Sequence, residues 1–135
     1  MPDAIVFDLL KNDPDIGVAD RVWPEWAKTP AVKPYICYFI ESVDPVLAHS
    51  GKAGLSRATV RLECYGATYT ATKAIADAVR KKLNGFQGTV ASIRVDAVIV
   101  TDGGRAGSIM PDDGGQTAEW MRAVLIAIWF ADANN

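Results

Sequence analysis

The sequence predicts an α+β fold: a four-stranded, mainly antiparallel sheet with an N-terminal helix and a central amphipathic helix packed on one face, joined by long loops. Three observations carry that prediction. Residues 57–65 alternate apolar Ala58, Val60, Leu62 and Cys64 with polar Arg57, Thr59, Arg61 and Glu63, the period-two signature of a strand with one wet face. Immediately after it, Ala71, Ala74, Ile75, Ala78, Val79 and Leu83 recur at helical spacing, with Lys73, Asp77 and Lys81 four apart on the opposite side. The order along the chain is helix, strand, strand, helix, strand, strand, a succession that folds as helices on a sheet.

Residues 2–12 read as the first helix, with Pro2 tolerated in the first turn, Ile5, Val6, Leu9 and Leu10 on one face, and Asp13-Pro14 as the stop. Residues 15–34 hold Pro24, Pro30 and Pro34 and read as a connector with a brief extended piece at Arg21-Val22-Trp23, where Trp23 and Trp26 are expected to be buried. The run 35–40, YICYFI, is aromatic and β-branched, so it is a strand apolar on both faces. Pro45, His49, Gly51 and Gly54 mark 41–56 as a long hairpin loop.

Thr68 or Thr70 caps the central helix, and Asn84-Gly85 ends it with glycine in the left-handed position after Arg80, Lys81 and Lys82. A third strand, 92–100, sets Ile93, Val95, Ala97 and Ile99 against Arg94 and Asp96. The segment 101–116, TDGGRAGSIMPDDGGQ, is a solvated loop. A long last strand, 117–130, puts Met121, Ala123, Leu125, Ala127 and Trp129 on one face and Trp120, Arg122, Val124, Ile126 and Ile128 on the other.

The chain has 135 residues, half of them hydrophobic and 22% charged, which is the make-up of one globular domain spanning 1–135. Its net charge of −2 argues against a protein that grips nucleic acid through backbone phosphates. No apolar run reaches the ~18–20 residues of a membrane helix, and Pro2-Asp3 stand where a signal peptide would be basic. Synthesis in the cytoplasm is expected. Cys37 and Cys64 lie in strands without a CxxC, so they read as buried thiols.

Catalytic chemistry has little to work with. His49 is the single histidine, and there is no GxSxG, GxGxxG or GxxxxGK[ST]. Asp102, Asp112 and Asp113 lack the alternating order of a calcium loop. No catalytic, cofactor or metal residue is therefore named. Arg57, Arg61, Glu63, Arg94 and Asp96 place mixed charge on the polar sheet face, which reads equally as solvated cross-strand pairs, as an inter-subunit face or as the wall of a channel. Ile36, Tyr38, Ile40, Val98, Trp120 and Ile128 share parity with outward positions and are too apolar for water, so that face points to a partner or to a second layer.

The short N-terminal helix, Arg21-Val22-Trp23-Pro24, Pro34-Tyr35-Ile36-Cys37-Tyr38 and VRLECYGATYTATKAIADAVRKKLNG, in that order and spacing, resemble the tail-completion (tail terminator, head–tail joining) family of long-tailed bacteriophages and prophages. The similarity covers most of the chain, roughly residues 4–130. It implies a non-enzymatic virion protein at the head–tail interface, without cofactor, made in the bacterial host cytoplasm. It implies a homo-oligomer, typically a hexameric ring, that caps the tail tube, stops its growth and meets the head connector or stopper protein. DNA passes through such a ring without specific binding. Candidate contact residues are Arg57, Arg61, Glu63, Arg94 and Asp96 on the sheet and Asp102, Arg105, Met110, Asp112 and Asp113 in the glycine-rich loop, which departs from the more acidic, aromatic-containing loops of the family. The loops 41–56 and 101–116 are expected to order on the tube or connector. Two other readings compete: an assembly chaperone or other small virion adaptor, and a small-molecule-binding or enzymatic α+β domain.

Overall fold

A computed structural model describes residues 2–18, 21–24, 33–48, 51–101 and 120–132. Its elements are α1 (Pro2–Leu10), β1 (Val22–Pro24), β2 (Tyr35–Ala48), β3 (Gly51–Gly66), α2 (Tyr69–Leu83), β4 (Gly88–Val90), β5 (Ile93–Val100) and β6 (Trp120–Ala131). The strands form one six-stranded sheet in the order β1-β2-β3-β6-β5-β4, curled into a half-barrel. β1 runs parallel to β2, and every other pairing is antiparallel.

This overturns the four-stranded α+β prediction. Among the described residues the protein is mostly sheet, with two helices, and the missing strands have physical reasons. β1 and β4 span three residues each, too few for a period of two to be visible. The supposed loop 41–56 is the continuation of β2 and β3, paired from Tyr35↔Tyr65 as far as Ala48↔Gly51. Pro45, Gly51 and Gly54 are accommodated in the strands, and His49 lies outside the described residues. Pro45 lies on an edge strand beside a register shift between Pro45 and Leu47, where a missing N–H is tolerated.

One face of the sheet carries the core. Ile36, Ala58, Val60, Leu62, Cys64, Val98, Val124, Ile126, Ile128 and Phe130 are buried there against Ile5, Val6, Leu9 and Leu10 of α1 and Ile75, Ala76, Val79 and Leu83 of α2. Ile36, Tyr38, Val98 and Ile128 thus belong to the core face, contrary to the outward parity expected of them. The register pairs Ile36 with Cys64 and Ile128 with Ala58, and that pairing cannot be read from either strand alone. In β5 a register shift between Val95 and Ala97 switches the alternation: Val95 and Val98 point into the core, and Ile99 faces out at 44% exposure.

Thr68 is the cap of α2. Its backbone is extended, and its hydroxyl oxygen accepts from the Ala71 N–H at 3.1 Å. The buried stripe runs through Thr72, Ile75, Ala76, Val79 and Leu83, while Ala74 is exposed. Thr72 is buried because its hydroxyl donates back to the Thr68 carbonyl at 2.7 Å, which satisfies it locally. Gly66 lets the strand end approach this turn: a Cβ there would meet Thr72 Oγ1 at 2.5 Å and Thr72 N at 2.9 Å. At the other end, Gly85 takes φ +83° and donates its N–H to the Val98 carbonyl at 2.7 Å, so the helix stop also covers the free side of β5.

α1 ends at Leu10, short of the predicted Asn12, which takes φ +56°, and Asp13 organises the turn that follows. Its Oδ1 accepts from Asp15 N at 2.8 Å, and its other oxygen pairs with Lys82 of α2. The hydrogen bond from Lys82 holds the Asp13 carboxyl below the usual carboxylate range, opposed by partial burial. Cys37 and Cys64 are buried thiols not joined in a disulfide, and desolvation pushes the Cys64 thiol up to about 12.

Candidate functional site: the outer face of the sheet

The face turned away from the helices is not an ordinary wet surface. β3 sends Arg57, Thr59, Arg61, Glu63 and Tyr65 outward. Its neighbours add Tyr35, Cys37 and Phe39 from β2 and Met121, Ala123, Leu125, Ala127 and Trp129 from β6, as the register requires. Tyr35, Cys37, Met121 and Ala127 are buried, and Phe39, Tyr65, Leu125 and Trp129 are half-buried.

The charges are built into this surface. Arg61 lies over the Phe39 ring, 4.5 Å from its centroid. Its Nη1 donates to Glu41 Oε1 at 3.1 Å, and its Nε lies 3.1 Å from Glu63 Oε2. Glu63 also accepts from the Tyr65 hydroxyl at 2.8 Å. Tyr65 stacks on Tyr35 at 4.7 Å between centroids, and Tyr35 meets Trp23 at 5.6 Å. Burial, together with the bond to Glu63, raises the Tyr65 hydroxyl well above its ordinary range, so it stays a donor at any physiological pH. Further along β3, Arg57 covers the Trp129 ring at 5.4 Å.

Arg57, Arg61 and Glu63 therefore share one face, as the sequence predicts. Arg94 and Asp96 lie on β5, separated from β3 by β6, and their charges are spent on each other at 2.8 Å. Asp102, Arg105, Met110, Asp112 and Asp113 lie outside the described residues. Sequence reasoning missed Tyr35, Phe39, Glu41 and Trp129, which surround the Arg–Glu cluster. Glu41 was hidden inside the supposed loop. The aromatic residues belong to strands whose parity relative to β3 was unknown, although the run YICYFI, apolar at every position, was the available signal.

Arginine, tyrosine, tryptophan and methionine with few lysines is the composition of protein contact surfaces, where planar side chains give large contact area at low entropic cost. Among the described residues, helices cover one side of the sheet and leave on the other a partly apolar, arginine–aromatic face, the profile of a subunit built for assembly. The family model described as "Tail completion protein gp17" matches residues 4–107, and the chain belongs to that family of bacteriophage virion proteins. It is a structural protein of virion assembly that acts in tail completion. A chain from a structure titled "Virion of native gene transfer agent (GTA) particle" has a similar fold, with a TM-score of 0.62 and 18% identity over 93% of this chain and 90% of that one. No curated protein sequence matches the chain.

Proposed function

We propose that this protein caps the end of the phage tail tube as a ring of identical subunits, stops tube growth and joins the tail to the head connector. Six copies make the ring, the role is structural with no catalysis, and the protein is made in the host cytoplasm before entering the virion. The observation that carries the proposal is the outer sheet face on a chain of the tail-completion family: buried and half-buried aromatic residues around Arg61 and Glu63, on the side that no helix covers among the described residues. A closed ring repeats one contact between two different surfaces; the projecting β2–β3 hairpin is one of the two, and the outer face adds contact area within the assembly. The net charge of −2 suits a ring through which DNA slides, because 16 acidic residues outnumber the 14 lysines and arginines that could otherwise hold the duplex. The similar fold within a virion agrees with a place in the particle.

The test is removal of the gene from its phage or prophage. Without a terminator, tubes should outgrow their normal length and stay headless. Tails of normal length joined to heads would refute the cap, and short or absent tails would favour the chaperone role instead.

A further inference from the structure

The two ends of the sheet expose different side chains. At one end the β2–β3 hairpin outruns its neighbours: the last β3–β6 pair is Leu55↔Ala131, and β1 reaches β2 only at residues 36–38. Among the described residues no strand pairs with the outer edge of β2 between Glu41 and Ala48. Val43 is 42% exposed and Leu47 72%, and Asp44, across from Arg57 in the ladder, lies on the other face of the arm. No cation pairs with Asp44 among the described residues.

At the other end, where α2 begins and β6 starts with Trp120↔Gly66, Tyr69 is 46% exposed. It meets Trp120 edge-on at 5.7 Å. The guanidinium of Arg122 lies 5.1 Å over the Tyr69 ring and donates to its hydroxyl at 2.7 Å. No carboxylate pairs with Arg122 among the described residues, and its buried Nε has no hydrogen-bond partner. The first turn of α2 holds no acidic residue to offset the positive end of its dipole. Over the 12 residues of β6, the two ends lie roughly 36 Å apart at about 3.3 Å per residue.

We infer that the hairpin arm of one copy docks on the Tyr69–Trp120–Arg122 corner of a second copy. The corner receives the open edge of the arm, with Val43 and Leu47 against the two rings from one face and Asp44, from the other face, supplying the carboxylate that Arg122 lacks. The contact is made through side chains. Pro45, the charge on Asp44 and two register shifts, at Ile40/Ser42 and Pro45/Leu47, guard the β2 edge against strand addition. That also disfavours a two-fold arm-to-arm dimer, because self-pairing of β2 needs this same edge. A contact between opposite ends of the subunit is heterologous, so it propagates head to tail. Its closure into a ring rests on the reading proposed above; the contact itself does not.

Cross-linking tests it in the full-length protein. Leu47→Cys in one preparation and Lys73→Cys, one helical turn beyond Tyr69, in another are mixed and treated with a short bismaleimide. The background is low because Cys37 and Cys64 are buried. The mixture should give covalent pairs at least tenfold above either preparation alone. Leu47→Asp, at a position too exposed to disturb folding, should abolish self-association in light scattering. Asp44→Arg and Arg122→Glu should each weaken association, and together in one chain they should restore it. Pairs formed by Leu47→Cys alone, or a mixture no better than its separate components, would overturn the inference. If cross-links fail but tubes are still capped, the contact is wrong and the cap stands. If cross-links form while tubes grow unchecked, the cap is wrong and the contact stands.

Discussion

Ile126 and Leu125 are adjacent on β6, nearly equal in volume, and on opposite faces, so truncating each to alanine separates the two roles of the sheet. Ile126 is 1% exposed and packed under the helices. Ile126→Ala removes about three methylene equivalents at ~0.8 kcal/mol each. It also leaves a cavity of roughly 75 Å³, which adds up to about 1.8 kcal/mol at ~24 cal/mol per Å³. The expected loss is about 3–4 kcal/mol, a large share of the ~5–15 kcal/mol that stabilises a typical domain. Leu125 is half-buried on the outer face, where solvent fills the space vacated. Leu125→Ala should cost about 1 kcal/mol in the free subunit. Urea unfolding followed by tryptophan fluorescence gives both values at unchanged m. Leu125→Ala should instead weaken assembly, measured as the concentration at which oligomers dissociate. A larger stability loss for Leu125→Ala than for Ile126→Ala would refute the assignment of the two faces.

Gly66→Ala should destabilise the fold by about 1–3 kcal/mol, because the new methyl meets the backbone nitrogen of Thr72 at 2.9 Å; an unchanged urea midpoint would contradict that close approach. The Asp13 carboxyl is held below its unfolded value of 3.8, so the contribution of this pair is fully present above that pH and is lost as pH falls through the lower, folded-state value. Lys82→Met should therefore flatten the acid-side loss of stability, by no more than about 1 kcal/mol since Lys82 is one-third exposed, and an unaltered pH slope would rule the pair out. With its thiol pushed up to about 12, Cys64 should resist iodoacetamide at pH 8 until the protein unfolds, and rapid labelling of the native protein seen by mass spectrometry would contradict its burial.

The strand at 57–65, the helix after it and the stop at Gly85 were legible because each shows a complete period with its own punctuation. The cap needed coordinates only to choose Thr68 over Thr70. What could not be read was relational. Ile36 and Ile128 turn inward because of the register of β2 and β6 on β3, and the switch in β5 comes from a bulge near Asp96 that no local signal announces. The hairpin arm was misread for a different reason. Proline and glycine mark turns statistically, but an edge strand has no outer partner to lose and accepts both. The candidate face was half legible: Arg57, Arg61 and Glu63 follow from alternation, whereas the Tyr35–Tyr65 stack and the Arg61–Phe39 contact exist only once the strands are paired.

The account stands most directly on where the protein sits on the tail. Gold-labelled protein, added to tubes assembled from the tail-tube protein of the same genome and imaged by electron microscopy, should mark one end of each tube with a ring and halt its elongation. Label spread along the tube walls, or tubes that lengthen unchecked with the protein bound, would contradict it.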